Sequence, residues 1–158
     1  TCSASDRQGG VGAQLAGHIV DLEVDPETGK VDILRYTTFI DAGKAAHPSY
    51  VEGQMQGGAL QGIGWALNEE YFYDENGTLR NTGFLDYRMP TCLDLPMIET
   101  VFVGGPAPEN EFGIRGVGEA PIIPPLAVVG NAFQKATGVR VRQIPLNPER
   151  VFWALSQT

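Results

Sequence analysis

The stretch "HIVDLEVDPETGKVDILRYTTFI", residues 18–40, decides the fold. From His18 to Val24 apolar and polar residues alternate, with Val20, Leu22 and Val24 on one face and Asp21 and Glu23 on the other, the pattern of a half-buried strand. Pro26 presets one backbone angle and Gly29 accepts a positive one, so "DPETGK" turns the chain. The return, "VDILRYTTFI", is rich in β-branched and aromatic residues and reads as a longer second strand. A β-hairpin is therefore predicted within the first forty residues.

Beyond the hairpin, "DAGKAAHP" breaks the strand pattern, and Pro48 stands where a first helical residue would, its missing N–H costing nothing there. The following "SYVEGQMQGGALQGIGWALNEE" sets Val51, Met55, Ala59, Ile63 and Leu67 on one stripe of a helix. Gly53, Gly57, Gly58, Gly62 and Gly64 fall inside it. Each glycine costs about 1 kcal/mol against alanine in an exposed helix. The sum of roughly 5 kcal/mol rivals the stability of many domains. Something must approach this backbone closely, either another element of the chain or a flat ligand, and the glycines alone leave both open.

The remaining chain is punctuated more heavily. "EEYFYDENGTLRN" reads as a second hairpin around Asn-Gly, "FLDYRMPTCLDLP" as extended loop or edge, and "MIETVFV" as a short strand. "GGPAPENEFGIRGVGEAPIIPP", residues 104–125, is predicted as a loop of glycine and proline, and loops of that length in compact domains are usually functional or disordered. In its second half, "GVGEAPIIPP" from Gly116 to Pro125, a single carboxylate, Glu119, follows Gly118; a solvated surface acid and a positioned one are the two readings. Gly116 and Gly118 are expected to make turns that a side chain would forbid, and Pro121 to hold Ala120 extended. "PLAVVGNAFQKATG" then reads as a helix ending at Gly138, "VRVRQI" as a short strand, and Asn147-Pro148 as the cap of a last helix. Strands and helices are partly segregated, which favours α+β: a mixed or antiparallel sheet with helices on one side.

The 158 residues, 42% of them hydrophobic, suit one domain spanning 1–158. No run approaches a membrane span, no export signal stands in what is present, and the start at Thr1 without methionine suggests a processed chain or a piece of a longer one. A net charge of −8, with 11 basic and 19 acidic residues and no basic stripe, excludes nucleic acid and an acidic membrane surface as natural partners. Cys2 and Cys92 lack metal-ligand spacing; they are read as free thiols, with a disulfide between them as the alternative, and the expected compartment is the cytoplasm.

Three segments in order, "DAGKAAHPSYVEGQMQGGALQGIG", "GTLRNTGFLDYRMP" and "GVGEAPIIPPLAVVGNAF", resemble the C-terminal part of the molybdenum-binding subunit of the molybdenum hydroxylases, the xanthine dehydrogenase, aldehyde oxidase and carbon monoxide dehydrogenase family. The similarity runs from about Gly12 to Leu155. It implies a molybdopterin cofactor carrying molybdenum, in a cytosine dinucleotide form among many bacterial relatives. In the family's reaction a molybdenum-bound hydroxyl oxygen attacks an electron-poor C–H carbon and hydride passes to a sulfido ligand; the glutamate of the Gly-Glu motif takes the hydroxyl proton as general base. Carried across, that base is Glu119. The glutamine beside the pterin matches Gln54, whose amide can donate and accept, with Gly53, Gly57 and Gly118 allowing close approach. The plainer reading of Gln54 is an amide bonding backbone at a helix start.

The same resemblance implies what lies elsewhere. The phenylalanine loop, the substrate-pocket arginine and aromatics, and a further Gln-Gly segment belong to upstream parts of the subunit, and iron–sulfur clusters and FAD to other domains or subunits. The substrate is then a small molecule: an aldehyde, a purine, an N-heterocycle or related compound. The chain alone is expected to be inactive, and self-association of the isolated chain is compatible with an exposed cofactor face. Relatives often carry Arg and Asn where Lys44 and His47 stand; no side-chain metal ligand is expected, and His47 reads as a hydrogen-bonder at the helix start. The competing functional reading is a non-catalytic assembly or cofactor-holding module derived from such an enzyme.

Overall fold

A computed structural model describes residues 13–108 and 111–157. The hairpin forms as its alternation predicts. Strand β1 (Ala16–Val24) pairs antiparallel with β2 (Val31–Ile40), from Ala16 opposite Ile40 to Val24 opposite Val31. One irregularity is added: Asp21 faces Arg35 while Leu22 faces Ile33, so Leu34 is an extra residue on β2. This bulge lets Ile33 and Tyr36 both point inward while Leu34 and Arg35 both face solvent.

Strand β3 (Glu99–Phe102) lies parallel to β2, with Thr37 opposite Glu99 and Ile40 opposite Phe102, giving a mixed sheet in the order β1-β2-β3. Helix α1 (Pro48–Leu67) buries Met55, Ala59, Ile63 and Leu67 of the expected stripe, with Val51 partly buried at its start. Helix α2 (Pro124–Thr137) ends where predicted, at Gly138 in the left-handed region with φ 77°. Helix α3 (Pro148–Ser156) starts on Asn147, whose side-chain oxygen accepts from the Arg150 amide at 2.9 Å. The helices close over one face of the sheet around Tyr36, Ile63, Val129, Phe133 and Val151, each large side chain here contributing on the order of 1.5–3 kcal/mol by burial.

Two predicted strand segments are not strands. Tyr71, Phe72 and Tyr73 are all exposed, and their hairpin reduces to one bridge, Tyr73 to Leu79, around a turn in which Asp74 Oδ1 accepts the amides of Asn76 and Thr78. With no face to bury, alternation had nothing to select. Residues 139–144 run without ladder pairing; Val139 and Val141 pack by side chain against the core. Cys92 is an exposed free thiol, and Cys2 lies outside the described residues. No described helix is long and apolar enough to cross a membrane.

A half-buried pair joins the two strands: His18 Nδ1 lies 2.8 Å from the Tyr36 hydroxyl. Burial makes the imidazolium costly and lowers the His18 pKa from 6.5 to about 4. The folded value lies below the unfolded one, so the contribution to stability is fully present above pH 6.5 and is lost as pH falls from there toward 4. Denaturant unfolding of the chain at stepped pH should show stability declining across that window, and His18→Gln should flatten the decline. An equal slope in both proteins would contradict this assignment.

Candidate functional site

The long loop is folded back onto the end of β2. Gly113, at φ 69°, sends its carbonyl to two amides, Lys44 N at 2.7 Å and Ala107 N at 2.8 Å, and Ile114 forms an antiparallel bridge with Gly43. Arg115 N donates to Ala42 O at 2.9 Å, and the Arg115 guanidinium pairs with Asp41, both side chains largely buried. Gly43, at φ 63°, is tightly constrained, since a Cβ there would stand 2.3 Å from Gly113 O.

Three residues beyond Arg115 the loop meets α1. Gln54 Nε2 donates to Gly118 O, joining two motif residues 64 positions apart in sequence. The Gln54 amide therefore does bond backbone, but that of the glutamate loop and not of its own helix; its Oε1 has no partner among the described residues. Glu119 comes next, exposed, at φ −115° and ψ 2°, with no hydrogen bond from its carboxylate among the described residues. A cleft of about 400 Å³ opens here, lined by Lys44, His47, Tyr50, Gln54, Arg115 and Gly118 among others.

After Glu119 the chain is pinned again. Ala120–Ile122 form a 3-10 turn, so Ala120 is not extended as its proline neighbour suggested. A Cβ on Gly58 would lie 2.4 Å from Pro121 Cγ, and one on Gly62 would lie 2.6 Å from Pro125 Cγ and 2.8 Å from Ile122 O. These helix glycines thus admit the proline segment, the packing alternative of the two. Gly53 and Gly57 behave differently: a Cβ on either meets nothing within 4 Å. They line a separate groove of about 430 Å³ with Leu95 and Met97, away from Gln54, Gly118 and Glu119. Gly116 and Gly118 do not have positive φ; the backbone positions that need glycine in this loop are Gly104, at φ 83°, and Gly113, at φ 69°.

His47 keeps the local role expected of it, with Nδ1 3.1 Å from Ser49 Oγ and its ring stacked on Tyr50 at 3.9 Å. No cluster of metal-ligating side chains occurs among the described residues. Sequence reasoning passed over Asp41 and Arg115, and counted Gly58 among the helix glycines without naming its neighbour. An aspartate just after a strand and an arginine four residues before the glutamate were visible, but nothing in the sequence joined positions 74 apart.

The domain model described as a molybdopterin cofactor-binding domain matches residues 3–96. The chain is 45% identical over 134 residues to the xanthine dehydrogenase molybdenum-binding subunit of Escherichia coli O157:H7, covering 84% of this chain and 18% of that protein. Among solved structures, quinoline 2-oxidoreductase from Pseudomonas putida 86 superposes with a TM-score of 0.83 at 34% identity, over 90% of this chain and 18% of that one. Reconstituted CO dehydrogenase from Oligotropha carboxidovorans gives 0.84 at 27% identity, over 91% and 18%. The chain thus spans under a fifth of the length of these relatives.

Proposed function

Because the chain belongs to the molybdopterin cofactor-binding domain family, as part of the molybdenum-binding subunit of the molybdenum hydroxylases, we propose that it forms one wall of the cofactor and substrate chamber of a molybdenum-dependent hydroxylase, with Glu119 as general base. The observation that carries this reading is the Gln54 to Gly118 hydrogen bond, which brings the glycine-glutamine helix and the glycine-glutamate loop together one residue from the carboxylate.

The residues present fit the cofactor. Gln54 keeps Oε1 for a donor on a polar heterocycle edge, Gly118 leaves open space where a Cβ would stand, and Lys44 and Arg115 line the cleft beside them. When bound, the molybdenum group supplies the oxygen transfer and the two-electron oxidation. The chain's own work would be to hold and move a proton: the Glu119 carboxylate, exposed and without a hydrogen-bond partner among the described residues, follows directly on Gly118 of the cleft lining and would accept one there. Gly53 and Gly57 offer a second bare backbone face, which we assign to the wider cofactor wall.

The complete enzyme would act on an aldehyde, purine, N-heterocycle or related small molecule in the cytoplasm, with the rest of the subunit and iron–sulfur and flavin subunits as partners; alone, the chain would be inactive. Large exposed apolar residues, Phe84, Leu93 and Met97 among them, support packing against more protein. The test is molybdenum per copy in native material purified with its partners attached. About one atom per subunit is expected, and Gln54→Ala should weaken cofactor affinity roughly 5- to 10-fold, the worth of one ordinary hydrogen bond. A native preparation without molybdenum would overturn the reading.

A further inference from the structure

The Glu119 carboxylate has no hydrogen bond among the described residues, so its position must come from the backbone around it. Gln54 holds residue 118 just before it, and the Gly58–Pro121 packing holds residue 121 just after it. Further upstream, a single carboxylate organises the approach. Asp41 Oδ1 accepts from Gly43 N at 3.0 Å, fixing the glycine that bridges to Ile114, while Oδ2 takes the Arg115 guanidinium. The Asp41 carboxylate also lies against Gly104, where a Cβ would come within 2.7 Å of it, so the beginning and the middle of the long loop meet on the same group. Asp41 and Arg115 side chains are only 13% and 17% exposed, which shields the pair from the screening that weakens surface ion pairs.

We propose that Asp41 and Arg115 are positioning residues: their ion pair sets the register of the loop on the end of β2 and thereby places the Glu119 carboxylate. This rests on Glu119 acting as base, and the test separates the two claims. In the complete molybdenum-loaded enzyme, Asp41→Asn and Arg115→Gln should each lower kcat about 10- to 100-fold, the effect of a sub-ångström to 1 Å misplacement, with KM nearly unchanged. Molybdenum content should stay at the wild-type level, and amide hydrogen exchange of residues 113–119 should speed up by about tenfold or more. The double variant should be no worse than the poorer single one, since both remove one interaction. Arg115→Lys, which keeps the charge and guards against a folding failure, should recover part of kcat and of the exchange protection.

Unchanged exchange with unchanged kcat would overturn the proposal, as would effects that simply add in the double variant. Loss of molybdenum at constant turnover per metal atom would also overturn it, because the pair would then serve the cofactor chamber and not the base. Ordinary turnover in Glu119→Gln, alongside faster exchange in Asp41→Asn, would reject the base while supporting the ion pair as the lock of this loop.

Discussion

Replacing Glu119 with glutamine in the complete enzyme is expected to lower turnover by about 10²- to 10⁴-fold, the range for loss of a positioned general base. The substitution keeps shape and removes the ability to accept a proton. Its structural cost is small, because the side chain is exposed and makes no hydrogen bond among the described residues; surface changes of that kind usually stay within about 0.5 kcal/mol. Molybdenum content should therefore remain near one per copy. Turnover per molybdenum atom is the quantity to measure, and an ordinary value would remove Glu119 from the chemistry.

The second large effect concerns stability and separates the helix glycines into two groups. Gly62→Ala gains up to about 1 kcal/mol of helix propensity but drives a methyl into Pro125 and the Ile122 carbonyl, neither of which can swing aside. Overpacking of this type costs about 1–3 kcal/mol, so net destabilisation is expected in denaturant unfolding. Gly58→Ala presses on Pro121 in the same way, two residues past Glu119, and should also reduce kcat. Gly57→Ala meets nothing in this chain, so the isolated chain should be unharmed or stabilised by up to about 1 kcal/mol. In the loaded enzyme the same change should lower molybdenum occupancy, since we place that face against the cofactor wall. Equal behaviour of Gly57→Ala and Gly62→Ala in the isolated chain would show that this division of the helix is wrong.

Local pattern carried much of the fold. The alternation of Val20, Leu22 and Val24 set the hairpin and its buried face, and the fourfold spacing from Met55 to Leu67 set the buried side of α1. The bulge at Leu34 was not legible, because one extra residue changes which face a side chain takes without changing composition. The glycines announced a close approach but not its author: proline rings at Gly58 and Gly62, open space at Gly53 and Gly57. The resemblance supplied Gln54 and Glu119 as candidates, while their junction through Gly118 O is a tertiary fact between distant segments. Asp41 and Arg115 escaped for the same reason, since neither residue is unusual in its own neighbourhood.

The parallel pairing of β2 with β3, and the return of the loop to Asp41 afterwards, also fix an order in time. Asp41 pairs with a residue 74 positions later, and Gln54 with one 64 positions later. During synthesis, at about 5–20 residues per second, the hairpin and α1 leave the ribosome several seconds before Arg115, Gly118 and the prolines that pack on Gly58 and Gly62. The nascent chain therefore has a hydrophobic hairpin-and-helix half well before it has a chamber wall, and a molybdenum cofactor arriving during translation would find no site until residue 125 has emerged. In the chamber proposed above, cofactor insertion would follow the closing of this loop.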